Sequence, residues 1–129
     1  MKKIVIIDDE EDFCFFIKRN LEATGKFEVK VSSNPKEGLK LAQSAHPDLV
    51  LLDILMPELS GTQIAEILKN SDDTKDIPIV FVTAVITEEE TDIKGNFIKG
   101  NHVLAKPIKM SHLLRIVTIL TETNSSQPA

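Results

Sequence analysis

Residues 49–52 read Leu49-Val50-Leu51-Leu52, an unbroken apolar run that decides the fold together with two others. Ile4-Val5-Ile6-Ile7 and Ile79-Val80-Phe81-Val82 are equally continuous. Strands have this composition when helices cover both faces of a parallel sheet. By contrast, Phe27-Glu28-Val29-Lys30-Val31 alternates between apolar and polar residues, which predicts an edge strand with one exposed face. A weaker fifth strand is predicted near His102–Ala105.

Five amphipathic stretches follow these strands and predict helices. In the first, Glu11–Ala23, the apolar residues Phe13, Phe16, Ile17 and Leu21 share one face. Three further helices are predicted from capping sequences at their starts, which are Asn34–Glu37, Ser60–Gln63 and Thr87–Glu90. The last carries apolar residues at helical spacing, which are Met110, Leu113, Leu114, Val117 and Leu120. Strand and helix therefore alternate five times, which predicts an α/β domain with right-handed crossovers.

The composition limits the possible functions. The 129 residues are enough for one domain, predicted over residues 1–121, followed by a polar tail or linker stub over 122–129. The net charge is −5 and no run of Lys or Arg is longer than a pair, which argues against direct nucleic-acid binding. Cys14 is the only cysteine, so an internal disulfide is excluded, and we expect a small apolar residue of the first helix. The apolar run after Lys3 is too short for export or membrane insertion, which predicts a cytoplasmic protein.

Polar residues stand directly after the apolar runs. Asp8 and Asp9 follow the first run, Asp53 the third, Thr83 the fourth and Lys106 the fifth. In an open parallel sheet, ligands bind beyond the carboxyl ends of the strands. These five side chains are therefore predicted to meet at one edge of the sheet.

Each of these residues also has a purely structural interpretation. Asp8 or Asp9 could cap the first helix, and Asp53 could begin a turn. Thr83 is an ordinary residue for a strand end, and an isolated Lys106 is usually solvated. The shared position at the ends of successive strands favours a site over these separate interpretations.

The five side chains make chemical sense together. Three neighbouring carboxylates repel one another unless a cation joins them, and Mg²⁺ prefers such oxygen ligands. One carboxylate could then attack phosphorus as a nucleophile. Lys106 would neutralise the phosphoryl charge, and the Thr83 hydroxyl would donate a hydrogen bond to it.

Four motifs in this order resemble the response-regulator receiver signature. They are Ile6-Ile7-Asp8-Asp9, Leu51–Pro57 with Gly61, Val82-Thr83-Ala84 and Leu104-Ala105-Lys106-Pro107. The resemblance runs from about Lys3 to the last helix, so residues 1–121 are identified as a receiver domain. It implies a flavodoxin-like (βα)5 three-layer sandwich whose five-stranded parallel sheet has the order 2-1-3-4-5.

The resemblance also implies a role for each site residue. Asp53 is expected to accept a phosphoryl group from a phosphohistidine on a histidine kinase or a phosphotransfer protein. Asp9, Asp53 and the backbone carbonyl of Leu55 are expected to bind Mg²⁺ directly, with Asp8 helping through water. The expected phosphoryl-binding residues are Thr83, Ala84 and Lys106, and the Lys106-Pro107 bond is expected to be cis.

Three positions depart from the family pattern. Val103 stands where the family usually has Tyr or Phe, whose ring moves inward when the hydroxyl residue engages the phosphoryl group. Leu55 and Val85 are apolar at positions that flank the path of the hydrolytic water, so we predict a long-lived phosphoryl group. The stretch from Thr87 to Asn101, with its two glycines, predicts a short or mobile fourth helix.

Two other functions remain open on the sequence alone. A small Mg²⁺-dependent phosphohydrolase would also use an aspartate nucleophile, but Asp8-Asp9-Glu10 lacks its Asp-x-Asp spacing. A binding module with an intact but unused site is the third interpretation. As a switch, the chain is expected to act without an output domain of its own, or as part of a larger protein, and as a monomer or weak dimer.

His46, His102 and His112 are predicted to be surface residues, and Ile116 and Ile119 to extend the core.

Overall fold

The computed structural model describes residues 1–84, 97–98 and 101–126, with residues 97–98 and 123–126 described as backbone only. The strands in these ranges are β1 (Lys2–Ile7), β2 (Phe27–Ser32), β3 (Leu49–Asp53), β4 (Ile79–Thr83), β5 (Phe97–Ile98) and β6 (Asn101–Ala105). The helices are α1 (Glu11–Glu22), α2 (Pro35–Ala45), α3 (Gly61–Lys69) and α4 (Met110–Ser126). None of the helices in the described part of the chain is long and apolar enough to cross a membrane.

The sheet has the strand order β2-β1-β3-β4-β6-β5. The first five of these strands are parallel, and β6 is the predicted fifth strand, so the predicted order 2-1-3-4-5 is confirmed. The two-residue strand β5 was not predicted and pairs antiparallel with β6. The helix predicted to begin at Thr87 lies outside the described residues.

The continuous apolar runs are buried on both faces of the sheet. Ile4 and Ile6 belong to the core on the α1 and α4 side, whereas Val5 and Ile7 belong to the core on the α2 and α3 side. This division confirms the interpretation of the runs as central strands. The edge strand β2 alternates as predicted, with Phe27 and Val29 buried and Glu28 and Lys30 exposed.

Two of the predicted helix starts are confirmed. The Asn34 side chain accepts a hydrogen bond from the Glu37 N–H at 2.9 Å. Ser60 and Gln63 form a reciprocal capping box at the start of α3. At the start of α1 the N-cap residue is Glu10, without a side-chain cap, so neither Asp8 nor Asp9 occupies the capping position.

Three details differ from the sequence interpretation. The face of α1 that is buried centres on Cys14, Ile17 and Leu21, which turns Phe16 outward, so its predicted burial was wrong and the side chain is 52% exposed. Ile116 packs against the core as expected, but Ile119 is 54% exposed. Finally, α4 continues to Ser126, so helix extends past residue 121 into the segment predicted as a polar tail.

Candidate functional site

Three carboxylates meet at the carboxyl edge of the sheet. Ile7 pairs with Leu52 in the parallel ladder, so the next residues along β1 and β3, Asp8 and Asp53, lie side by side. Asp9 joins them, and one oxygen of each of the three carboxylates lies within 4.8 Å of the others. Asp8 and Asp53 are buried, whereas Asp9 is exposed to solvent.

Asp8 is the most buried member of this group. Its Oδ1 accepts a hydrogen bond from the Glu10 N–H at 2.9 Å. Its Oδ2 lies 2.8 Å from the Lys106 Nζ in an ion pair, yet the contact lacks hydrogen-bond geometry and this buried oxygen has no hydrogen bond. Burial raises the pKa of Asp8 above its usual value, although the neighbouring Lys106 opposes the shift.

Asp53 ends β3 with its carboxylate at the centre of the group. Its Oδ1 accepts a hydrogen bond from the Leu55 N–H at 3.3 Å, so the turn expected at this position exists as well. Burial, followed by the charge of Asp8, raises the pKa of Asp53 to about 7. The positive charge of Lys106 opposes this shift and favours the ionised, nucleophilic form of the carboxylate.

Lys106 supplies positive charge from the end of β6. Its backbone N–H donates to the Thr83 carbonyl at 2.9 Å, which ties the ends of β4 and β6 together, and the Lys106-Pro107 bond is cis. Its ammonium pairs with Asp8 and with Glu10 and lies 4.3 Å from the centre of the Phe13 ring. Burial lowers the pKa of Lys106, but the two carboxylates outweigh it and the net pKa is raised.

Glu10 and Phe13 were not predicted from the sequence as residues of the site. A signal was present, because both residues lie at the start of the helix that follows Asp9, three positions apart and so on one side of it. The Glu10 contact with Lys106 joins residues 96 positions apart, and the Phe13 contact is nearly as distant in sequence, so local sequence patterns do not reveal them.

The remaining predicted residues surround this centre. Thr83 is buried at the end of β4 beside Ala105, and Ala84 is exposed directly after it. Leu55 is 58% exposed next to Asp53. Val103 is buried in β6 opposite Phe81, as part of the α2 and α3 side of the core. Val85 lies outside the described residues.

The three carboxylates fit a hard divalent cation. They are the one group of acidic, histidine or cysteine side chains in the described ranges that could hold a metal ion. Carboxylate oxygens are the ligands that Mg²⁺ prefers, and the buried Asp8 Oδ2 pairs with the Lys106 ammonium but accepts no hydrogen bond. The residues present therefore suit Mg²⁺.

Comparisons with known proteins point to one family. A family model for the response regulator receiver domain matches residues 4–118. The polar-differentiation response regulator DivK of Brucella ovis is 36% identical over 90% of this chain and 93% of its own length. The alkaline phosphatase synthesis transcriptional regulatory protein PhoP of Bacillus subtilis is 31% identical over 99% of this chain. The chain spans about half the length of PhoP and of the Synechocystis regulator RpaA.

Solved structures agree with these relatives. The Francisella response regulator 1452 receiver domain is 27% identical, with a TM-score of 0.84 over 96% of this chain and 99% of that chain. The Vibrio cholerae chemotaxis protein CheY4, at 24% identity and a TM-score of 0.81 over 93% of this chain and 98% of its own, shares the fold. Since the family model spans the sheet from β1 to α4 and relatives match over nearly the whole chain, the chain belongs to the response-regulator receiver domains of two-component signalling.

Proposed function

We propose that the chain is a phosphorylation-dependent switch in which Asp53 accepts a phosphoryl group from a phosphohistidine of a histidine kinase or phosphotransfer protein. The observation that carries this proposal is the meeting of three carboxylates and the Lys106 ammonium at one edge of the sheet. A carboxylate held among such charges can act as a nucleophile toward phosphorus. Membership of the receiver family supports the same chemistry.

The proposed transfer is a simple displacement. The Asp53 carboxylate oxygen forms a new P–O bond while the P–N bond of the phosphohistidine breaks, and the electron pair of that bond returns to the imidazole nitrogen. Lys106 neutralises the charge on the phosphoryl oxygens. The Thr83 hydroxyl and the Ala84 backbone N–H donate hydrogen bonds to the same oxygens.

The acidic group holds Mg²⁺ in this proposal. Asp9, Asp53 and the backbone carbonyl of Leu55 are the direct ligands, and Asp8 helps through a water molecule. When bound, the ion offsets the repulsion among the carboxylates and stabilises the negative charge of the transferring phosphoryl group. The Asp8 Oδ2 stays close to Lys106, so the Asp8 carboxylate lies between the two positive charges of the site, the Lys106 ammonium and the proposed Mg²⁺.

The product of the switch is an altered protein-binding surface rather than a chemical product. We propose self-phosphorylation and self-dephosphorylation as the chain's own reactions, with the chain acting as a monomer or weak dimer. Val103 is too short to act as a swinging ring, since a β-branched side chain has one stiff torsion. The output therefore depends on Thr83 and the residues after it rather than on an aromatic rotamer.

Incubation with Mg²⁺ and acetyl phosphate, followed by intact mass measurement, tests this function. The wild type is expected to gain one phosphate, and Asp53→Asn none. Asp72→Asn is the matched control, because the Asp72 side chain is 99% exposed and pairs only with Lys75 in the described structure. No adduct in the wild type would overturn the proposal in favour of an unused site, and rapid turnover of varied phosphate esters would favour a phosphohydrolase.

A further inference from the structure

The Lys106 ammonium is paired on the α1 side of the site. Its Nζ lies 2.8 Å from Asp8 Oδ2 and donates a short hydrogen bond to Glu10 Oε1. Within the described residues, no ion pair of 4 Å or less joins Lys106 to Asp53. The cation that the proposed function assigns to the phosphoryl group is therefore held by other partners in the resting protein.

A ring completes the surroundings of the ammonium. The Phe13 ring centre lies 4.3 Å from Nζ, within the range of a cation–π contact. Glu10 and Phe13 stand three positions apart at the start of α1, so one side of that helix end presents both contacts. The Lys106 side chain is only 11% exposed, and charges interact more strongly where solvent screens them less.

Glu10 differs from Asp8, the other acidic partner of Lys106, in what it can do. It is not a member of the three-carboxylate group that fits a metal ion, and its side chain is 62% exposed. An ammonium has three N–H donors, and the carboxylate of Glu10 occupies one of them in competition with any phosphoryl oxygen that arrives on Asp53. Because Glu10 is well solvated, it can release Lys106 without leaving a buried charge behind.

We propose that Glu10 is a positioning residue that holds the Lys106 ammonium at the start of α1 and so slows the phosphorylation of Asp53. This inference rests on the proposed function, because it concerns the rate of the same transfer. Release of Lys106 from Glu10 precedes or accompanies the approach of the phosphoryl group. When the Glu10 charge is removed, Lys106 keeps only Asp8 and the Phe13 ring as the partners described above. Its ammonium then reaches the incoming phosphoryl group sooner than in the wild type.

The test compares Glu10→Gln with Glu11→Gln. Both variants remove one negative charge from the same helix end, but the Glu11 carboxylate accepts from the Ser33 hydroxyl at 3.4 Å and has no contact with Lys106. The measurement is the rate of adduct formation from acetyl phosphate, with Mg²⁺ saturating for each variant so that metal affinity does not contribute. Glu10→Gln is expected to react two- to tenfold faster than Glu11→Gln, which corresponds to about 0.4–1.4 kcal/mol.

A second readout reports the ion pair without any phosphodonor. The ¹⁵N signal of the Lys106 ammonium is expected to shift or broaden through faster proton exchange in Glu10→Gln and to stay unchanged in Glu11→Gln. Equal rates in the two variants, or an unchanged Lys106 signal in Glu10→Gln, would overturn the positioning role while leaving the acceptor function intact. No adduct in any variant, the wild type included, would overturn the proposed function and this inference together.

Discussion

A Cβ atom at Gly61 would lie 2.0 Å from the main-chain oxygen of Asp53. The first residue of α3 thus touches the last residue of β3, backbone against backbone. The Gly61 N–H also donates to the Ile54 carbonyl at 2.9 Å, which closes the loop between the two elements. Glycine is needed here because no other residue permits so close an approach.

Replacing this glycine is expected to disturb both stability and the site. Gly61→Ala must push the backbone of Asp53 away, and such overpacking typically costs about 1–3 kcal/mol. We expect a lower urea midpoint and slower adduct formation at Asp53. Gly38→Ala is the comparison, because its Cβ would meet the buried Ile7 side chain at 2.6 Å and so also lower stability, without displacing the Asp53 backbone. A urea midpoint for Gly61→Ala at or above that of the wild type, or adduct formation no slower than in Gly38→Ala, would contradict this account.

The loop between β3 and α3 also contains a strained backbone position, at Glu58. Glu58 has φ of 70°, in the left-handed region where a side chain is unfavourable. Glu58→Gly removes that strain and is expected to raise the free energy of unfolding by about 0.5–1 kcal/mol. The ion pair that it loses, with Lys36 at 3.9 Å, joins two exposed side chains and contributes little.

Glu58→Gln is the control for this change, because it removes the ion pair and keeps the strained backbone. Its urea midpoint should stay close to that of the wild type. If Glu58→Gly were less stable than Glu58→Gln, strain at this position would not be the dominant effect.

The buried carboxylates predict that the free energy of unfolding falls as the pH rises and that bound Mg²⁺ offsets this fall. The pKa of Asp53 is raised from 3.8 to about 7, so the folded state favours the protonated form. Its contribution to stability is fully present below pH 3.8 and is lost as the pH rises from there through about 7. In metal-free buffer, we therefore expect the wild type to lose stability relative to Asp53→Asn between about pH 4 and pH 7. The raised pKa of Asp8 acts in the same direction.

Bound Mg²⁺ stabilises the ionised carboxylates and should compensate this loss. Its addition is expected to raise the melting temperature more at pH 8 than at pH 5, and to have a smaller effect on Asp53→Asn at both pH values. The measurement is the melting temperature with EDTA and with excess Mg²⁺, for the wild type and for Asp53→Asn, at pH 5 and at pH 8. The same Mg²⁺ effect at pH 5 and pH 8 would show that the titrating carboxylates are not the metal ligands.

The lifetime of the phosphoryl group is expected to depend on Leu55. Its side chain is 58% exposed beside Asp53 and cannot orient a water molecule by hydrogen bonding. Leu55→Asn introduces an amide at that position, so we expect decay of the adduct to be several-fold faster than in the wild type. The measurement follows adduct mass after the donor is removed. Wild-type decay within a minute, or no acceleration in the variant, would contradict the prediction.

Much of the fold could be predicted because burial leaves a clear pattern in the strands. The continuous runs at Ile4–Ile7 and Leu49–Leu52 are buried on both faces, and the alternating run at Phe27–Val31 marks an edge. The position of the polar residues that follow the strands, at one edge of the sheet, could be predicted from the parallel topology. The helix caps at Asn34 and Ser60 were equally predictable, because each cap is a local hydrogen bond.

Other features depend on packing or on contacts between distant residues. Which face of α1 is buried depends on how Cys14, Ile17 and Leu21 pack against the sheet. The exposure of Phe16 could therefore not be predicted from apolar periodicity alone. The partners of Lys106 lie on α1, at the other end of the chain. A two-residue antiparallel strand such as β5 is too short to leave a sequence signal.

The most direct test of the central claim locates the phosphoryl group on the chain. Borohydride reduces an aspartyl phosphate to homoserine, so treatment of the phosphorylated protein followed by peptide mass spectrometry identifies the acceptor. We predict homoserine at position 53 and aspartate at positions 8 and 9, with no homoserine when Mg²⁺ is withheld. Homoserine at position 8 or 9, or a phosphate adduct that yields no homoserine at 53, would contradict the account.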